Sequence, residues 1–179
     1  MIETNEIVPE SDVLVAVTEY LVTRRKVLPY QFSLATGKGI DNSTLTEWLK
    51  QLFASVGQAP TFSGNGADII TCSSLEWWQI ECKGAGSGKV QTQRNNFDRA
   101  LASVVSYFEK EPPAILKEKF PTISPFLGLA LPATGKYLSE LKSRVRQPLR
   151  EQLNLWILLY NPINREISVI SPDEKDIAI

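Results

Sequence analysis

Apolar residues recur with two periods in this chain. Over residues 11–26, Val13, Val17, Tyr20 and Leu21 fall at helical spacing, with Ser11 or Asp12 placed to cap the start. Arg24, Arg25 and Lys26 close that stretch, where the negative pole of a helix favours cations. Residues 28–34 read as a short extended piece and residues 37–42 as a loop. A second helix is predicted over 43–56: Ser43 caps it, Leu45, Trp48, Leu49, Leu52, Phe53 and Val56 form its stripe, and Gly57 ends it. Thr61 and Phe62 suit a short strand before the turn at 63–66. Residues 67–72 and 77–83 are rich in β-branched and aromatic types, and four residues join them, which predicts a hairpin. The glycines of 84–88 break the second strand. A long helix follows over 91–109, with Phe97, Leu101, Val104, Val105 and Phe108 on one face, until Pro112 and Pro113 stop it. Residues 126–131 read as a buried strand, 135–150 as a basic helical stretch broken near Pro148, and 153–160 and 166–170 as two strands around a turn. The tail, 171–179, is polar and acidic.

Alternating helical and strand patterns predict one α/β domain over residues 1–179, with a central sheet and helices on both sides. Its 179 residues allow a sizeable core. Lys plus Arg is 19 and Asp plus Glu is 20, so a basic coat over the whole surface is excluded, though a local patch is not. There is no histidine, which removes imidazole-based triads, nuclease motifs and zinc sites. Cys72 and Cys82 are too few for a disulfide framework and read as small buried apolar residues. No run is long and apolar enough for a membrane span, and the first ten residues carry three Glu and no Lys or Arg, unlike a signal peptide. The expected setting is therefore cytoplasmic, away from membranes.

The remaining chemistry must run on carboxylates, lysine, hydroxyls or a hard metal. If Cys72 faces Trp77 across the predicted hairpin, Asp68 faces Glu81, and Lys83 lies on the same side of the strand. Two opposed carboxylates are tolerable if a cation sits between them or one holds a proton. A divalent ion such as Mg²⁺ accepts that pair and a backbone carbonyl, here that of Cys82, with waters completing the shell. Lys83 is then placed to hold or deprotonate an attacking water, or to steady negative charge in the transition state. These parts suit metal-assisted hydrolysis of a phosphodiester.

The order is a helix acid, a Gly-rich turn, a strand with Asp, a hairpin, Ile80-Glu81-Cys82-Lys83-Gly84 and a helix. It resembles the PD-(D/E)xK nuclease superfamily over residues 43–108. Gly66-Ala67-Asp68-Ile69-Ile70 and the Glu81-to-Gly84 run are closest to single-domain, Holliday junction resolvase-like members. Ala67 stands where the family usually has Pro. The resemblance implies a restriction-endonuclease-like fold and a metal-dependent DNA endonuclease using Mg²⁺ or Mn²⁺. It assigns Asp68 and Glu81 as metal ligands, Lys83 as the catalytic lysine, Glu47 as the helix acid with Glu19 as its rival, and Gln93 or Gln91 as the helix glutamine. It also implies DNA as partner and a homodimer.

Other features compete less well. Glu140-Leu141-Lys142 lies on a predicted helix, where i and i+2 do not share a face. Pro172-Asp173-Glu174-Lys175 has no hairpin behind it. Gly84 to Lys89 lacks both the spacing and the Ser or Thr of a phosphate loop; its backbone could instead approach a DNA phosphate, with Lys89 and Arg94 nearby. Lys136, Lys142, Arg144, Arg146 and Arg150 are either a solvated helix face or a phosphate-contacting surface. Two further functional classes stay open: a DNA-binding or assembly subunit that keeps the nuclease fold without turnover, and an interaction protein whose acidic hairpin is structural.

Overall fold

The computed structural model describes residues 7–34, 39–87, 90–108 and 111–175. Part of the predicted loop at 37–42, Gly88, Lys89, Glu109 and the end of the tail lie outside the described residues.

One seven-stranded sheet organises the molecule, in the order β2-β1-β3-β4-β5-β6-β7. The strands are β1 (Leu28–Ser33), β2 (Thr61–Ser63), β3 (Ile69–Cys72), β4 (Glu76–Cys82), β5 (Ser124–Pro132), β6 (Leu155–Asn161) and β7 (Glu166–Ile170). Strands β4, β5 and β6 are parallel neighbours and β2 runs parallel to β1, while β3 pairs antiparallel with both β1 and β4, and β7 with β6, so the sheet is mixed. Parallel neighbours need a crossover. Helices α3 (Val90–Ser106) and α4 (Ala114–Lys119) connect β4 to β5, and α5 (Gly135–Arg144) and α6 (Gln147–Leu153) connect β5 to β6. Helices α1 (Glu10–Tyr20) and α2 (Asn42–Ala54) precede the hairpin.

The hairpin has the register expected from its sequence: Ile69 faces Ile80, Ile70 faces Gln79, Thr71 faces Trp78 and Cys72 faces Trp77. Successive residues of β4 point to opposite sides of the sheet. Trp78 meets Arg25, which follows α1, while Glu81 meets Tyr107, which follows α3. Helices α1 and α3 therefore cover opposite faces, as predicted.

Local chemistry shifts several boundaries. Helix α1 gives way at Leu21–Arg25 to a π-helical turn, and Lys26 at φ 54° ends it. Arg25 does not serve the helix terminus alone. It pairs with Glu76 at 3.1 Å and lies 4.6 Å over the Trp156 ring. Asp41, not Ser43, caps α2, accepting from the N–H groups of Ser43 and Thr44. The basic stretch divides into α5 and α6, with Pro148 in the first turn of α6, where its missing N–H costs nothing. Helix α4 is absent from the sequence prediction, being a single short element behind two prolines.

Along α3 the buried stripe is Gln93, Phe97, Ala100, Val104 and Tyr107. Leu101 is half-buried, and Val105 and Phe108 are exposed. The stripe is thus rotated from the expected face, and the rotation turns Tyr107 inward. Trp77 and Trp78 are both buried, in separate clusters on opposite sides of β4. No described helix is long and apolar enough to cross a membrane.

Candidate active site

The site forms where β3 begins and β4 ends. Gly66, at φ 101°, makes the turn that leads into Asp68. The Asp68 carbonyl accepts from Ser33 N–H at 3.0 Å, which fixes its backbone against β1. Its Oδ2 accepts from Cys82 N–H at 2.7 Å, so the side chain continues the hairpin ladder one step beyond the last paired residues. Glu81 lies opposite, on the α3 face. Its Oε1 pairs with Lys83 Nζ at 2.9 Å, and its Oε2 accepts from the Tyr107 hydroxyl at 2.9 Å. Lys83 N–H donates to Ala130 O on β5, which anchors the lysine to the parallel half of the sheet.

A fourth charged residue joins them. Glu10 Oε2 lies 3.5 Å from Lys83 Nζ. It arrives through a backbone crossing: Val8 and Ala85 exchange hydrogen bonds of 2.7 and 2.8 Å, and the 8–10 segment passes directly over Gly84. A Cβ on Gly84 would press on the Val8 carbonyl and lie 2.6 Å from Glu10 N. The glycine after Lys83 is therefore required by the chain's own N-terminal segment.

The electrostatics follow from this crowding. Asp68 is 7% exposed. Burial, with the Glu81 charge beside it, pushes its carboxyl up to about 7. Burial alone would depress Lys83, but Asp68, Glu81 and Glu10 outweigh it and hold the amine protonated above its ordinary range. Lys83 is thus an ammonium group while these carboxylates surround it, which suits the positioning and charge-steadying roles. Burial and the Glu81 carboxylate push the Tyr107 phenol up, so it stays a donor. The Cys82 thiol is fully buried and driven well above the ordinary thiol range, mainly by burial.

Gln93 is 8% exposed and donates to Gly86 O at 2.9 Å, while its Oε1 has no partner among the described residues. Gln91 is exposed and bonds to Asn95, one helical turn on. Tyr137 donates to Gly84 O at 2.8 Å. The 84–87 segment is thus held from several sides.

Asp68, Glu81 and Lys83 come together as expected, and Gln93 lies against the loop behind Lys83. Glu47 does not join them. It is exposed on α2 and accepts from Gln51, with no hydrogen bond or ion pair to Lys83 among the described residues. Glu19 is exposed and lines a cavity with Tyr160 and Arg165. The acid that α1 brings to Lys83 is Glu10, which sequence reasoning missed. Its signal was the acidic first turn of α1, a feature that helix-dipole arguments explain without any site. Tyr107 was missed because the α3 stripe was assigned to the wrong face.

Among the described residues no group of three or more His, Cys, Asp or Glu side chains is arranged to hold a metal ion. Asp68 and Glu81 nevertheless fit a hard cation in part. Each is a buried carboxylate oxygen donor, and Asp68 Oδ1 carries no hydrogen bond among the described residues. The Cys82 thiol is unsuited, being buried and protonated, so the residue's carbonyl is its one candidate oxygen. The basic stretch is partly neutralised. Arg144 pairs with Asp98 at 2.5 Å and Glu140 at 3.0 Å, Arg94 pairs with Glu140, and Arg150 is buried. Compared with known proteins, the chain matches no family model, no curated protein and no solved structure.

Proposed function

We propose that the protein is a metal-dependent endonuclease that hydrolyses DNA phosphodiester bonds, with a restriction-endonuclease-like fold of the PD-(D/E)xK type. The observation that carries this reading is the meeting of Asp68, Glu81 and protonated Lys83 at one end of the sheet. Lys83 offsets only one of the two buried acids, and the charge left over is costly. A dication offsets that cost and leaves the carboxylates ionised.

Asp68 and Glu81, with the Cys82 carbonyl, are the residues to hold Mg²⁺ or Mn²⁺. Such an ion, when bound, supplies charge neutralisation at the phosphoryl group and acidifies its bound water. In hydrolysis, a water oxygen bonds to phosphorus, one P–O ester bond breaks, and the leaving oxygen takes a proton. Lys83, protonated and anchored through Ala130, orients that water or steadies the charge on the phosphoryl oxygens. Glu10 holds the Lys83 ammonium in place, and Tyr107 holds Glu81. Gln93 fixes the adjoining loop at Gly86. Glu47 has no part in this scheme. Pairing of two copies would let both strands be cut, and sedimentation of the purified protein tests for that homodimer.

Plasmid nicking in Mg²⁺ tests the proposal. Glu81→Ala and Lys83→Ala should each keep the fold by circular dichroism and lower nicking by about 100-fold or more, the scale of removing one electrostatic interaction made in the transition state. Absence of metal-dependent cleavage of duplex, branched and single-stranded DNA by wild type overturns it. DNA binding without turnover would then favour a non-catalytic subunit.

A further inference from the structure

Away from the acid cluster, charge concentrates with the opposite sign. A cavity of about 570 Å³ lies between the end of α5, the start of α6 and the C-terminal segment. Lys142, Arg146, Arg150 and Lys175 line it with Gln147 and Pro148, and no acid is among its lining residues. Lys142, Arg146 and Lys175 are exposed, and none has a carboxylate within ion-pair distance among the described residues. Arg150 is 1% exposed. Its guanidinium donates to the Val145 and Glu174 carbonyls, and its Nε has no partner among the described residues. Two acids, Glu151 and Glu174, lie close enough to act on the Arg150 charge; Glu151 also accepts from Gln147, and Glu174 from Ser171 N–H.

The tail is held to this cavity. Gln147 donates to Asp173 O and Arg150 to Glu174 O, which brings Lys175 to the rim. The stretch that mimics the nuclease motif in sequence thus contributes a cation rather than acids.

We propose that this cavity is a phosphate site, separate from the acid cluster, that grips the backbone of a nucleic-acid strand. The proposal rests on the nuclease reading and names how its substrate is held. No aromatic ring lines the cavity, so nothing there stacks a base, and the groups present match phosphate oxygens. Helices α3 and α5 are joined by the Arg94–Glu140 and Arg144–Asp98 ion pairs, so α5 lies beside the helix that covers Glu81. Helix α5 starts beyond the end of β5, and its 10 residues carry the chain roughly 15 Å at about 1.5 Å per residue. A strand laid along the length of α5 would set roughly four nucleotides on it at about 3.4 Å per step of one strand.

The test is fluorescence anisotropy of a labelled duplex and a labelled single strand, in EDTA, across a salt series. The triple variant Lys142→Ala, Arg146→Ala, Lys175→Ala should weaken binding roughly tenfold or more and reduce the slope of log K against log salt by about 3, near one for each phosphate that is no longer neutralised. A control triple on other surfaces, Arg24→Ala, Lys50→Ala and Lys119→Ala, should leave the slope near wild type. The proposal is overturned by an unchanged slope in the first triple, by an equal loss in the control, or by a wild type that binds neither strand. It is also overturned if tripolyphosphate binds through these residues and oligonucleotides do not. Cleavage is scored separately with Glu81→Ala, which leaves the cavity intact. Metal-dependent nicking with a cavity-independent slope sinks this inference and spares the nuclease reading, and cavity-dependent binding without nicking does the reverse.

Discussion

At the level of single residues, Asp68 makes the sharpest prediction. Its carboxyl ionises near 7 in the folded protein and near 3.8 in an unfolded chain. Between those values the folded state binds the extra proton, so metal-free stability falls as pH rises through the window from about 4 to about 7. Asp68→Asn should flatten that dependence and raise the melting temperature at pH 8, by at most a few kcal/mol of stability. Mg²⁺ should raise the melting temperature of wild type at pH 8 and leave Asp68→Asn unmoved. A wild-type profile that rises toward pH 8 without metal contradicts the argument. Asp68, Glu81 and Lys83 were legible because a hairpin with a known turn fixes which positions oppose and which share a side. Glu10 was not, because it reaches Lys83 by a close backbone passage over Gly84 that no periodicity encodes. Gly84→Ala should destabilise the fold by about 1–3 kcal/mol, as overpacking against backbone does. It should also lower nicking by displacing Glu10, whereas Gly64→Ala, with open space around its Cβ position, should do neither.

Among the elements, α3 carries the lesson. Its apolar residues cover more than half its circumference, so the sequence admits two neighbouring stripes. Packing on β4 and β5 selected the one containing Gln93 and Tyr107, both polar at one end and both facing inward. Burial of polar tips is invisible to a reading that follows apolar residues alone. The stripe is testable by thermal melts: Val105→Ser should change stability by no more than about 0.5 kcal/mol, as surface substitutions do. Val104→Ala, at a fully buried position, should cost more. Tyr107→Phe preserves the packing and removes the hydroxyl that bonds Glu81 and also meets Ser103. It should cost about 1.5–3 kcal/mol, the range for a hydrogen bond to a charged group, and lower nicking without changing DNA affinity. Helix α4 escaped notice for a different reason: six residues behind two prolines carry too little periodicity to register.

For the molecule as a whole, the sheet unites what the chain separates. The main buried cluster runs from Val8 to Ile170 and includes residues of every strand except the short edge β2. Alternation of helical and strand patterns was enough to anticipate an α/β layer structure, but not the strand order, which depends on pairings distant in sequence. Because one core serves the whole sheet, urea unfolding should be a single transition, with tryptophan fluorescence and far-ultraviolet circular dichroism coincident. Two separated transitions would mean that the β1–β3 side and the β5–β7 side unfold apart.

The anchoring of Lys83 limits what can be transplanted. Its backbone is tied to Ala130 and its side chain to Glu10, so the stretch 43–108, although it spells the whole motif, omits both supports. A fragment or graft of that stretch would carry the letters of the motif without the clasp at one side and the neighbouring strand at the other, and its amine would be left with Glu81 alone to aim it.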